Sequence, residues 1–148
     1  MIVLGVRCAK ETLDWAVVKG DQRSVASVVE QRKVAIPDGH RRDQLAWARK
    51  EVLELLERHA LEAAAVRVAE PGGQSVSLGR AEVEGVVQEA LASAGLAPAR
   101  HVAATIRSIY GARNKPELTS ALSAIPVIEG IGTTRREPVL SAVALLPG

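Results

Sequence analysis

The chain has 148 residues, of which 47% are hydrophobic and 24% are charged. This balance is typical of a folded chain with a sizeable core, and it excludes an intrinsically disordered protein. No apolar run approaches the roughly 18 residues that a membrane helix needs, so we expect no contact with a membrane. Aromatic residues make up only 2%, which argues against proteins that stack single-stranded bases on several exposed rings.

Net charge and cysteine content give weaker indications. The net charge of +2 is mild, so charge alone does not indicate an obligatory nucleic-acid binder. Cys8 is the only cysteine, and we expect a buried, inert thiol. A chain without an internal disulfide suits a reducing compartment, so we expect a cytoplasmic location. The length fits one domain, which we expect to span residues 1–148.

Three strands are predicted in the first part of the chain. Residues 2–8 and 12–19 are apolar and rich in β-branched side chains, and the short polar break between them indicates a hairpin. A third strand lies within residues 25–36 and ends before Pro37. Asp14 lies on the second strand, where we expect its side chain to face outward.

Helices and strands alternate in the middle of the chain. Residues 40–60 predict a helix because apolar side chains recur at a spacing of three to four. Residues 63–69 are short and apolar, as in a central strand. Residues 75–94 predict a second helix, for which Ser75 or Ser77 can serve as the N-cap.

A fifth strand is predicted over residues 101–109, and a short third helix begins at Pro116. Residues 125–132 are expected to form a loop, and residues 134–146 a final apolar helix. The resulting order, βββαβαβα, predicts an α/β fold with a mixed five-stranded sheet flanked by helices.

Three short sequence motifs, in their order along the chain, indicate which kind of α/β fold to expect. Leu4-Gly5-Val6 precedes the hairpin, Glu70 follows the fourth strand, and residues 110–118 hold a Gly-Ala-x-x-Lys turn into a helix. Segments 78–81 and 85–87 add a glycine-containing helix. Together they resemble the RNase H-like superfamily, and within it the RuvC-type Holliday-junction resolvases, over nearly the whole chain. The resemblance implies an RNase H-like fold and favours a homodimer.

The resemblance also implies a metal-dependent nuclease site. In such enzymes carboxylates from the first strand, the fourth strand and the last helix converge on two metal ions, which repel each other unless anionic oxygens surround them. Here the first-strand aspartate position falls on Arg7, and neither Pro138 nor Ser141 supplies a carboxylate on the last helix. Glu70 and Glu137 are the catalytic candidates. A guanidinium at position 7 opposes a nearby cation by about several kcal/mol.

Both candidate acids also have ordinary structural interpretations. Glu70 can cap the next helix, or it can pair with Arg7 across adjacent strands. Glu137 can be a first-turn acid that favours the helix N-terminus. The metal is Mg²⁺ or Mn²⁺ if the site is active, and none otherwise. The histidines show no metal-ligand spacing, and we expect all three at the surface or at helix ends: His40, His59 and His101.

Basic residues near the fifth strand and the last two helices can form a lip for phosphates. Arg107, Arg113 and Lys115 would form it, and Arg135 and Arg136 would extend it. The alternative is an ordinary solvated face.

Three functions are consistent with these patterns. The leading hypothesis is a catalytically degenerate, nuclease-like domain that binds nucleic acid or a protein partner. The second is an active metal-dependent nuclease with a rearranged site that uses Glu70, Glu137 and either Asp14 or Glu84. The third is a structural module that dimerises through a helix face.

Overall fold

The computed structural model describes residues 1–72 and 77–148. Within them, the strands are β1 (Ile2–Cys8), β2 (Thr12–Lys19), β3 (Ser27–Ala35), β4 (Ala63–Arg67) and β5 (Ala99–His101). The helices are α1 (Arg41–Arg58), α2 (Leu78–Ser93), α3 (Ala103–Ile109), α4 (Lys115–Ser123), α5 (Pro126–Glu129) and α6 (Arg136–Val143). None of these helices is both long and apolar enough to cross a membrane. The predicted α/β fold with a five-stranded sheet is confirmed.

The sheet is mixed, as the order of its elements predicted. The strands lie in the order β3-β2-β1-β4-β5. β2 pairs antiparallel with both β1 and β3, whereas β4 pairs parallel with both β1 and β5. The central strand β1 is buried on both faces because apolar residues occupy almost every position from Val3 to Cys8.

Helices cover both faces of the sheet. α1 and α2 pack on the face that carries Leu4, Val6 and Trp15. α6 packs on the opposite face, where its Val139 and Ala142 meet residues of β1 and β2. Side chains alternate between these faces along each strand, so every second residue of β1 points toward α6.

The approach of α6 to β1 depends on Gly5. A Cβ atom at position 5 would overlap the carbonyl oxygen of Pro138 and would lie 2.7 Å from the amide nitrogen of Ala142. These are backbone atoms of α6 and cannot move aside as a flexible side chain could. Gly5 therefore lets α6 lie directly on the central strand.

One predicted element is wrong. Residues 101–109 were expected to form a strand, but β5 ends at His101 and the helix α3 follows from Ala103. The sequence His101–Ile109 is rich in β-branched residues, which favoured a strand. The helix forms because the amide of Ala103 donates a 2.7 Å hydrogen bond to Glu70, a residue far away in sequence, and because Ile106 buries its side chain.

Other boundaries differ by a few residues. The loop expected over 125–132 contains the single-turn helix α5, which begins at Pro126. The last helix begins at Arg136 and follows a short 3-10 turn. Ser77 caps α2 by accepting a hydrogen bond from the amide of Arg80, whereas the alternative cap, Ser75, lies outside the described residues.

The contact at Gly5 generates a test of the packing. Gly5→Ala should lower the free energy of unfolding by about 1–3 kcal/mol, the usual cost of overpacking a filled core. Gly85→Ala is the matched control, because a Cβ there meets no atom within 4 Å and lies in an exposed turn of α2. That change should raise stability by about 0.5–1 kcal/mol. Urea denaturation measures both, and a neutral Gly5→Ala would contradict the described packing.

Candidate functional site

A row of polar side chains crosses the sheet on the face that α6 covers. Arg7 of β1 lies opposite Asp14 of β2 and opposite Arg67 of β4. Asp14 in turn lies opposite Lys33 of β3, and Arg67 lies opposite His101 of β5. Because paired residues point to the same face of a sheet, these five side chains stand next to one another. The row lies at the carboxyl ends of β1 and β4, the edge where open α/β sheets place their sites.

Glu137 joins the two arginines of this row. Its Oε2 atom lies 3.0 Å from Nε of Arg7 and 3.5 Å from Nε of Arg67. Glu137 occupies the first turn of α6, so the close contact of that helix with Gly5 brings its carboxylate to the sheet. Arg7 therefore points into the space between β1, β4 and α6. The ion pair predicted between Arg7 and Glu70 is wrong, because Arg7 pairs with Glu137, whereas the carboxylate of Glu70 bonds Arg67 and the amide of Ala103.

Glu70 holds the start of α3. Its Oε1 atom accepts a 2.7 Å hydrogen bond from the amide of Ala103 and lies 3.2 Å from Nη2 of Arg67. The amide of Ala103, and then the charge of Arg67, hold the pKa of Glu70 below its usual range. The interpretation that Glu70 caps the next helix along the chain is wrong, because that helix, α2, is capped by Ser77 and Glu70 bonds the start of α3.

Asp14 is buried within the row, with 3% of its surface exposed. Its Oδ1 atom has no hydrogen-bond partner among the described residues. Burial raises the pKa of Asp14, and the charges of Lys33, Arg135 and Arg7 oppose that rise. The expectation that Asp14 faces outward is wrong, because α6 and the turn before it cover this face of β2.

His101 also differs from its expected place. It is 3% exposed, and its Nδ1 atom has no partner among the described residues. Burial and the neighbouring Arg67 lower the pKa of His101, which keeps the ring neutral. His40 and His59 lie at the two ends of α1, as expected. Cys8 is buried, and burial raises the pKa of its thiol to about 12, which agrees with an inert thiol.

Two of the predicted phosphate-binding residues line one cavity next to the row. Arg107 and Lys115 lie around an opening of about 260 Å³, together with Arg67 and Glu137. Aliphatic side chains form the rest of its wall: Ala103, Ile106, Leu118 and Leu140. Neither Arg107 nor Lys115 uses its charged group to bond another residue that the structure describes.

The other three predicted basic residues are dispersed. Arg135 is exposed and lies close enough to Asp14 to influence its ionisation. Arg113 pairs with Glu117 at 2.8 Å and is 88% exposed. Arg136 donates from Nε to the carbonyl oxygen of Ile131 at 2.7 Å and lines a separate, smaller pocket.

The side chains of this region do not fit a two-metal centre. Among residues 1–72 and 77–148, no group of three or more histidine, cysteine or acidic side chains could hold a metal ion. Glu70 and Glu137 are each paired with an arginine. Ser141 of α6 is fully buried and contributes only a hydroxyl. Glu84 binds the amide of Ala69 and the side chain of Arg80 on the other face of the sheet, so it does not join this region.

Arg67 and Lys33 are members of the row that sequence reasoning missed. A usable signal was present for Arg67, because it is the one charged residue in the apolar run 63–69. A charge there indicates the solvent-accessible end of a central strand. Lys33 required the register between β2 and β3, which the sequence does not reveal.

Comparisons with solved structures show that the chain shares its fold with known proteins. No protein-family model matches the chain, and no curated protein matches its sequence. Two solved structures of Thermus thermophilus RuvC match it with TM-scores of 0.78 and 0.76, at 18% and 19% sequence identity. Both alignments cover 97% of this chain, with 92% and 91% of the respective RuvC chains. In the second structure RuvC is in complex with a Holliday-junction substrate. The chain therefore has an RNase H-like fold of the RuvC type.

Proposed function

We propose that this chain binds nucleic acid through direct contacts between its arginines and lysines and the phosphate backbone, without cutting the strand by a two-metal reaction. The observation that carries the proposal is the bridge from Arg7 through Glu137 to Arg67. It puts the guanidinium group of Arg7 where the resemblance to resolvases implies an acidic metal ligand, and the guanidinium group of Arg67 lies on the adjacent strand beside it.

The charge of the row favours a polyanion. Nine charged side chains lie along it and around the adjoining cavity: Lys33, Arg7, Arg67, Arg107, Lys115 and Arg135 against Asp14, Glu70 and Glu137. Six positive and three negative formal charges leave +3, which exceeds the +2 of the whole chain. Positive charge is thus concentrated on this edge, and phosphate contacts of this kind supply most of the affinity of non-specific nucleic-acid binding.

Arg7 is suited to a direct phosphate contact. Only its Nε atom is used in the bond to Glu137, and its Nη atoms donate to no other described residue. Its side chain is one-third exposed. Glu137 fixes the guanidinium through its Nε atom and leaves the Nη donors available. Two parallel N–H groups match two phosphate oxygens, which makes arginine a frequent phosphate ligand.

Cleavage has little support from the groups present. An arginine stays protonated and cannot act as a general base. The lowered pKa of Glu70 makes its carboxylate a weaker base than an ordinary glutamate. The nuclease alternative, with Glu84 or Asp14 as a third acid, has little support. Glu84 faces the opposite side of the sheet, and Asp14, although it lies in the row, belongs to no group of three metal-ligating side chains among the described residues.

The RuvC-type fold supports a nucleic acid as the partner, since one matched structure holds a Holliday junction. Three earlier expectations stay predictions: a homodimer, a single domain over residues 1–148, and a cytoplasmic location. The structural-module alternative differs from the proposal in requiring no DNA affinity.

Binding should not require divalent metal. We expect the protein to bind a labelled four-way DNA junction in excess EDTA at least as tightly as in Mg²⁺, and to leave the strands intact, because the cations that contact phosphate belong to the chain and Mg²⁺ competes with them. Fluorescence anisotropy measures the affinity, and a denaturing gel measures cleavage. Binding that disappears in EDTA would contradict the proposal.

A pair of variants tests whether the two cations at the cavity next to the row contact the DNA. Arg107→Gln combined with Lys115→Gln should weaken binding and lower the slope of log affinity against log salt by about 2, one for each lost phosphate contact. Arg42→Gln is the control, because Arg42 is exposed on α1, the helix that covers the opposite face. It should leave the slope unchanged.

Asp14 provides a second test, in which both stability and affinity change. Asp14→Asn should raise the free energy of unfolding at pH 7 by about 1 kcal/mol or more, because a buried carboxylate without a donor is costly. The raised pKa of Asp14 means that the folded wild type binds a proton that the unfolded chain has lost. Wild-type stability therefore falls as pH rises from about 3.9, the unfolded value, through the folded pKa. The advantage of Asn disappears below that window.

The same change removes one negative charge from the row, so DNA affinity at pH 7 should rise. Urea denaturation at several pH values and anisotropy at pH 7 measure the two effects. Loss of stability at pH 7 in Asp14→Asn would show that Asp14 has a partner that holds it charged.

A further inference from the structure

The cavity beside the row combines an aliphatic wall with a charged rim. The charged rim suits phosphate groups, but phosphate binding does not require the aliphatic wall. We infer that this cavity takes a single unpaired nucleobase, while its rim holds the phosphates on either side. The inference rests on the proposed function and deepens it, because it assigns the row a preference for nucleic acid that contains an unstacked nucleotide.

The size and lining of the cavity suit a base. Its volume is about 260 Å³, slightly below the roughly 300 Å³ at which pockets for drug-sized ligands begin. Ile106, Leu118 and Leu140 present only carbon atoms to it. Proteins that accommodate an extruded base hold it between apolar or aromatic side chains in this way. The near absence of aromatic residues excludes a stacking platform of several rings, so a cavity with an aliphatic wall is the form that base recognition can take here.

The rim is suited to the backbone on either side of the base. Lys115 is the first residue of α4 and is exposed, and Arg107 lies in the last turn of α3. Their charged groups bond no other described residue. Because α3 and α4 form two sides of the cavity, the two cations stand at different points of its mouth. A strand that inserted one base would pass its neighbouring phosphates close to both.

Glu137 supplies a hydrogen-bond acceptor in the lining of the cavity. Its Oε2 atom is held by Arg7 and Arg67, and its Oε1 atom bonds no other described residue. Each common base carries an N–H donor on its Watson–Crick edge, and that donor is free only when the base is unpaired. An acceptor held in place at the cavity therefore selects unpaired bases over paired ones.

The experiment compares two DNA duplexes that differ in one nucleotide. One is fully paired, and the other carries a single bulged 2-aminopurine. Wild-type protein should bind the bulged duplex about tenfold more tightly, a difference within the range that base contacts contribute. The emission of 2-aminopurine should rise on binding, because the base leaves the DNA stack and meets no aromatic ring in the cavity.

A filled cavity tests the location. Ala103→Leu places a larger side chain in the wall, whereas Ala104→Leu makes the same change at the next, exposed position of α3. Ala103→Leu should abolish the preference for the bulged duplex and keep the affinity for paired DNA. Ala104→Leu should keep both. Thermal unfolding checks that both variants fold, and the wild-type emission change tests the inference without any variant.

The outcomes separate the two claims. Equal wild-type affinity for both duplexes, with unchanged emission at saturation, overturns the inference and leaves phosphate binding intact. An emission rise and bulge preference that persist unchanged in folded Ala103→Leu also overturn it, because the base then lies elsewhere. Failure to bind either duplex overturns the proposed function itself.

Discussion

The carboxylate of Glu137, held between the guanidinium groups of Arg7 and Arg67, is the interaction on which the site depends. It joins the first turn of α6 to the two central parallel strands, and it requires the close helix–strand contact that Gly5 permits. Each member needs the others. Removing Glu137 would leave two arginines side by side, and removing Arg7 would leave a carboxylate with a single longer contact. Such partly buried pairs set geometry more than they add stability.

This bridge places positive charge at the edge of the sheet where the resemblance to resolvases implies a cluster of acidic side chains. Acidic side chains at this edge would bind metal ions, and the metal ions would in turn bind phosphate groups. Arginines fixed by an acid can contact phosphate directly, and they do so without an ion that a chelator could remove. Glu70 adds a second constraint, because it orders α3 by bonding the amide of Ala103. The carboxylate that the resemblance implied as a metal ligand instead orders α3, the helix that forms one side of the cavity next to the row.

The sequence predicted the fold well because β1, β2, β4 and α1 carry strong local patterns: continuous apolar runs for the strands and regular apolar spacing for the helix. It predicted the strand at 101–109 wrongly, because the bond that begins α3 comes from Glu70, 33 residues earlier. It also singled out Arg7, Glu70 and Glu137, which the structure places at one edge of the sheet. It could not pair them correctly, since Arg7 and Glu137 are 130 residues apart and meet only through the packing of α6. Lys33 and the burial of Asp14 could not be predicted either, because they depend on the register of β2 and β3.

The most direct measurement of the central claim is anomalous diffraction from crystals of the protein soaked in Mn²⁺. A guanidinium bridge in the cleft predicts no manganese peak within coordinating distance of Glu70 or Glu137, and electron density for Arg7 that joins the carboxylate of Glu137. A pair of manganese ions bridged by Glu70, with the side chain of Arg7 turned away from α6, would contradict it.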